Sequence, residues 1–153
     1  MQSLKKEGVQ MKQIEYREEL TAEDYNRLRE MAGWRRLTEK QAVRGLANTT
    51  FLISAWSDGK AVGMGRALFD YGYTVYIGDV IILPEYQGCG IGAHIVQGLI
   101  NKVKEAAEEG DDLMFCLVAA EGKEEFYERL GFQRRPCEGL GAGMSMRVEI
   151  HKE

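Results

Sequence analysis

From Asp79 to Gly92 the sequence reads DVIILPEYQGCGIG. An apolar, β-branched run, Val80-Ile81-Ile82-Leu83, ends at Pro84, and a turn with glycines at 88, 90 and 92 opens a long amphipathic segment. Glycine admits positive φ and lets a ligand approach the backbone without meeting a Cβ. A helix that starts at such a turn aims its unpaired N–H groups and positive dipole end at one point. Strand, glycine turn and helix together therefore read as a cradle for an anion such as a pyrophosphate. No Gly-Lys-Ser/Thr follows, so the turn is not a Walker loop, and its G-x-G-x-G spacing departs from the dinucleotide fingerprint. Asp79 is an isolated acid among apolar residues and needs a reason to be there. It is either a base whose burial raises its pKa or a structural hydrogen-bonding group.

Two segments carry a resemblance. Gln87-x-x-Gly90-x-Gly92, approached through Ile82-Leu83-Pro84-Glu85-Tyr86, resembles the central Q/R-x-x-G-x-G/A motif of the GNAT superfamily of acetyl-CoA-dependent N-acetyltransferases. Downstream, Phe126-Tyr127-Glu128-Arg129-Leu130-Gly131-Phe132 resembles that family's FYExLGF segment. The element pattern fits from about Ile14 to Ile150. The resemblance implies acetyl-CoA as co-substrate and no metal. Backbone N–H groups of Gln87, Gly88, Cys89, Gly90, Ile91 and Gly92 would wrap its pyrophosphate. Main-chain groups of Ile82 and Leu83 would pair with the pantetheine arm like an added strand.

Acetyl transfer from a thioester to an amine needs a neutral amine, a donor for the tetrahedral oxyanion and a proton for the leaving thiolate. By resemblance Tyr127 is the general acid. Its neighbour Phe126 belongs either to the core or to the cofactor-binding set. Asp79 is the candidate base or amine-orienting carboxylate, with a water chain or Asp70 as alternatives. Relatives carry a Glu just before this Asp, where Gly78 stands here, and an Asn where Ala120 stands. Trp34, between the first two helices, and Asp70 complete the substrate-binding candidates. His94 and His151 have no partner in the sequence and receive no role.

The elements must position these groups. A short strand is predicted around Ile14 and Tyr16. Thr21 and Thr38 cap two helices, the first stopped by Gly33. Strands over 50–56 and 60–69 flank the hairpin turn Ser57-Asp58-Gly59, and a third runs from Thr74 to Leu83. The helix from Gly90 to about Glu109 buries a stripe of Ile91, Ile95, Leu99, Val103 and Ala107. Leu113 to Val118 is a buried strand parallel to 74–83. Lys123 to Leu130 is a helix ended by Gly131. Phe132 begins a return strand, and the alternation of Met144, Met146, Val148 and Ile150 predicts a half-buried strand at the sheet end.

The 153 residues, 44% hydrophobic and 29% charged, suit one globular domain over 13–153 behind a flexible leader, 1–12, with Met11 an alternative start. A net charge of −4 gives no basic stripe, which argues against nucleic acid and mildly favours a cationic acceptor. No apolar run approaches a membrane span, and three sparse cysteines fit reduced thiols in the cytoplasm. The expected fold is mixed α/β (α+β): a twisted, mostly antiparallel sheet of six to seven strands, helices on both faces and a splayed parallel pair at the cofactor cleft. The expected function is N-acetylation of a primary amine of a small molecule by direct attack in a ternary complex, with a homodimer possible. An acyl-CoA-binding sensor module and a protein N-terminal or lysine acetyltransferase are the alternatives.

Overall fold

The computed structural model describes residues 2–3 and 13–152. The rest of the expected leader lies outside the described residues. The chain divides into two compact units, Met1–Leu117 and Val118–Glu153.

The first unit is a sheet in the order β1 (Gln2–Ser3), β2 (Gln13–Arg17), β3 (Phe51–Ser57), β4 (Lys60–Phe69), β5 (Thr74–Ile82), β6 (Met114–Cys116). Neighbours are antiparallel except β5 and β6, which run parallel. Asp58 and Gly59, both at positive φ, make the tight β3–β4 turn. One face of the sheet carries α3 (Ile91–Ala106), which buries Ile91, Ile95, Leu99 and Val103 together with Val96 and Ile100. Each such side chain contributes about 1.5–3 kcal/mol of hydrophobic stabilisation. Ala107 caps this helix and stays outside the core.

The other face carries α1 (Ala22–Met31) and α2 (Glu39–Ala47). Thr21 and Thr38 cap them as expected, accepting from the amides of Asp24 and Gln41 at 3.1 and 3.2 Å. Asn26, fully buried, closes the loop between them. Its Nδ2 donates to the Leu37 carbonyl at 3.0 Å, and its Oδ1 accepts from the Leu37 amide at 2.9 Å. The loop holding Trp34 is thereby fixed to α1.

The second unit holds α4 (Glu124–Glu128), shorter than the predicted 123–130. Three sequence-based expectations fail from Leu113 onward. The buried strand 113–118 is reduced to the three residues of β6, half-exposed because β6 is the sheet's edge. No return strand begins at Phe132, and 144–150 forms none. Alternation specifies which side chains share a face, but a strand also needs a neighbouring edge to complete its hydrogen bonds. In 144–150 that alternation leaves Met144, Met146, Val148 and Ile150 exposed.

Replacing Asn26 by Ala leaves the Leu37 amide and carbonyl without these partners. It should lower stability by about 2 kcal/mol, read as a reduced urea midpoint with unchanged slope.

Candidate active site

The β4–β5 ladder pairs Arg66 with Gly78 but Met64 with Ile81, so β5 carries one residue more than its partner there. This is a β-bulge, and Asp79 sits in it at φ +50. Aspartate visits the left-handed region more readily than most residues, yet such a position still costs on the order of 1 kcal/mol. Its carboxylate is held from three sides. Arg66 Nε donates to Oδ2 at 2.7 Å, the Tyr25 hydroxyl donates to the same oxygen, and Arg29 Nη1 donates to Oδ1 at 3.3 Å.

Each cation is anchored in turn. Arg66 Nη1 donates to Thr49 Oγ1 at 3.1 Å, and Arg29 Nε donates to the Arg35 carbonyl at 3.1 Å. The Arg29 guanidinium also lies over the rings of Tyr25 and Trp34, 5.6 Å from each. The knot thus joins α1, the α1–α2 loop, the chain just after α2, and β4 to the bulge. Its charged side chains are only 15–20% exposed. Burial and the hydrogen bond to Asp79 both push the Tyr25 phenol above its ordinary pKa, so it stays protonated and donating. Burial works against the Arg66 cation, but the hydrogen bond and charge of Asp79 more than offset it.

Beyond the bulge the parallel pair opens. β5 and β6 are paired only at Thr74–Tyr76 against Met114–Cys116, whereas β5 runs on to Ile82. The Leu83 amide donates back to Val62 on β4 at 2.9 Å, so by strand alternation the Ile82 amide points to the open side. The Ile82 carbonyl accepts from Gln87 Nε2 at 2.9 Å. A 3₁₀ turn, Pro84–Tyr86, then leads into the glycines.

Gly88 and Gly90 have φ +73 and +81, and a Cβ on either would meet nothing within 4 Å. Glycine is required there by the backbone conformation, and the space beside the turn is open. The first helical bond of α3 runs from the His94 amide to the Gly90 carbonyl at 3.0 Å. The amides of Ile91, Gly92 and Ala93 therefore have no intrahelical acceptor, and no side chain caps the helix. Such a terminus can hold an anion. Cys89 Sγ lies 3.6 Å from the Gln87 carbonyl, and all three cysteines are free.

The remaining candidates fall as follows. Trp34 is half-buried and touches the knot through Arg29. Asp70 lies at the far end of β5 from the glycine turn, where its Oδ1 accepts from the Gly72 and Thr74 amides at 2.8 and 3.1 Å. A Cβ at Gly78 would come within 2.8 Å of the Tyr76 ring, so that ring occupies the room a larger residue needs.

In the second unit Tyr127 is half-buried, with Phe126 and Phe132 edge-on to it at centroid distances of 4.9 and 6.0 Å. Gly131, at φ +98, ends α4. The Phe132 amide donates to the Tyr127 carbonyl at 3.1 Å and the Gly131 amide to the Glu128 carbonyl at 3.0 Å. Phe126 is half-buried, not a core residue. No metal-binding cluster occurs among the described residues. His94 acquires a partner the sequence did not indicate, its ring stacked on Tyr16 at 3.8 Å.

Sequence reading missed Tyr25, Arg29 and Arg66. Arg66 carried a usable signal: a single cation in the otherwise apolar and small Ala61–Phe69, facing a strand with a single acid.

Residues 10–132 match the family model described as the acetyltransferase (GNAT) family. An uncharacterised N-acetyltransferase, ycf52, of Pyropia yezoensis is 30% identical over 117 residues, covering 74% of this chain and 65% of that protein. A protein named histone acetyltransferase TAP1 of Glycine max is 30% identical over 128 residues, 76% of this chain and 53% of its own. The chain thus spans less than two thirds of the length of these relatives. A crystal structure of a probable acetyltransferase from meticillin-resistant Staphylococcus aureus is 28% identical, with a TM-score of 0.78 over 89% of this chain and 100% of that one.

Replacing Asp79 by Ala strands two guanidiniums and should cost about 3–5 kcal/mol in chemical denaturation. Asp79→Asn tolerates the same backbone, keeps an acceptor oxygen and should lose about 2 kcal/mol.

Proposed function

The chain belongs to the GNAT acetyltransferase family, and we propose that it transfers an acetyl group from acetyl-CoA to a primary amine of a small molecule by direct attack. The observation that carries the cofactor assignment is the pair of left-handed glycines leading into an uncapped α3, beside the open edge of β5. The free amides of Ile91 and Gly92 and the backbone of Gly88 to Gly90 would hold the pyrophosphate. The Ile82 amide, pointing to the open side, suits the pantetheine arm or the oxyanion. Leu83 contributes less than expected, because its amide already donates to Val62. Gln87 acts indirectly, pinning the Ile82 carbonyl. Bound acetyl-CoA supplies the thioester carbonyl that the amine attacks.

We assign Asp79 to orienting the amine and holding the bulge, and proton removal to water. A carboxylate offers about four acceptor positions, and the knot takes three, two on Oδ2 and one on Oδ1. One acceptor position on Oδ1 remains for an amine or a water. Tyr127 is the acid that returns a proton to the thiolate. Trp34 borders the acceptor. Three free thiols keep the reading of a reducing compartment, and among the described residues no helix is long and apolar enough to cross a membrane. Transfer to a protein lysine is the second reading, favoured by the name of the soybean relative.

The deciding experiment is a thermal-shift titration with acetyl-CoA followed by thiol release across small amines and a lysine peptide. Release with small amines supports the main reading, and release with the peptide alone supports the second. Gly90→Val forces a β-branched residue to positive φ and should abolish the acetyl-CoA shift; an undiminished shift removes the cradle assignment. Tyr127→Phe should lower turnover about 100-fold or more with acetyl-CoA affinity unchanged, and an unaltered rate removes it as the acid.

A further inference from the structure

The charges of the knot around Asp79 do not cancel. Two guanidiniums, Arg29 and Arg66, meet one carboxylate, and all three side chains are mostly buried. The other side chains that bond to them, Tyr25 and Thr49, are neutral hydroxyls, and Tyr25 is held protonated. No second acid of α1 balances the excess: Asp24 pairs with Arg27, Glu30 pairs with Arg36, and Glu23 is exposed at the helix start. Residues 21–50, which supply α1, its loop and α2, carry six basic and four acidic side chains, although the whole chain has a net charge of −4. A mostly buried cation without a counter-charge is costly, so this site is set to take an anion from outside.

Arg29 is the cation with capacity to spare. Its Nε donates to the Arg35 carbonyl and its Nη1 to Asp79 Oδ1, the latter at a long 3.3 Å. Its Nη2 has no acceptor among the described residues, and the rings of Tyr25 and Trp34 beside it carry no charge. Asp79 Oδ1, which accepts from Arg29 Nη1, also keeps the open acceptor position that suits an amine. Nη1 and Nη2 share one carbon, so a ligand that bridges Oδ1 and Nη2 needs its amine and its oxyanion only a few bonds apart. The knot lies on the α1–α2 face of the sheet, opposite α3, so the α3 terminus proposed for the cofactor's phosphates is a separate anion site.

We propose that the acceptor amine carries its own carboxylate or phosphate a few bonds from the nitrogen, and that Arg29 binds this anion while Asp79 orients the amine. Such an acceptor brings a negative charge to a site with one positive charge in excess. A plain alkylamine arrives as a further cation and leaves the excess unmet. Acetyl transfer is taken from the reading above; the anion subsite stands on the contacts of Arg29 and Asp79.

Thiol release from acetyl-CoA with matched acceptors tests it: serine and O-phosphoethanolamine against ethanolamine, and phenylalanine against phenethylamine. Calorimetric titration of the same compounds into the full chain, at saturating CoA, reads binding independently of turnover. The expected result is an affinity and a kcat/KM higher by about 10-fold or more for the member that bears the anion. The serine and O-phosphoethanolamine arms distinguish a carboxylate from a phosphate. Arg29→Gln should abolish the preference within each pair, and Arg29→Lys, which keeps the charge, should retain most of it. Both members of a pair are compared on one preparation, so any loss of folded protein cancels from the ratio. A preference for ethanolamine and phenethylamine would overturn the subsite and leave the transferase reading standing. Binding of the anionic members without release from any amine would support the subsite and remove the transferase reading. No binding of any anionic member, or a preference unchanged in Arg29→Gln, would overturn the subsite.

Discussion

The structure depends on one carboxylate. Asp79 occupies a backbone position that disfavours side chains, in a strand that would otherwise run regularly beside β4. The cost of that position, on the order of 1 kcal/mol, is outweighed by charge-assisted hydrogen bonds worth about 1.5–3 kcal/mol each. The dependence is mutual. Arg29 and Arg66 are mostly buried and require an anion, while the anion is within reach of both because the bulge turns it toward α1 and α2. The bulge in turn lies just past the last β5–β6 pair, so the strand is re-aimed where the cleft begins.

How much of this was legible in the sequence follows from the range of each interaction. The glycine turn, the caps at Thr21 and Thr38 and the Gly131 stop are signals within a few residues, and all were readable. Asp79 was conspicuous as an isolated acid, but its partners stand 54, 50 and 13 positions away, where no periodicity reaches. A phenol at 25 and a guanidinium at 29 lie one turn apart on one face of α1, yet that face reads equally well as a solvated one. The alternation in 144–150 predicts a strand that the structure does not form, because the pattern says nothing of a neighbouring edge to pair with.

The departures from the family pattern also become physical. Gly78 is not simply a missing acid, because the Tyr76 ring stands where its side chain would go. Burial holds the Tyr76 phenol above its ordinary pKa, so it stays protonated and cannot replace a carboxylate as base. Asp70, the other acid considered, has an oxygen committed to its own turn. These contacts are what support the proposed division of roles, with water as the proton acceptor and Asp79 as the group that orients the amine.

Chemistry and packing converge in the second unit. The ring of Tyr127 lies edge-on to Phe126 and Phe132, and hydrogen bonds at Gly131 close the helix that carries it. A general acid must hold its hydroxyl within about 3 Å of the atom it protonates, so the order of this five-residue helix bears directly on the role proposed for Tyr127. Among the described residues of this unit none is buried, so its side chains gain little from packing density. Closing α4 at Gly131 and orienting the proposed acid are therefore one local task.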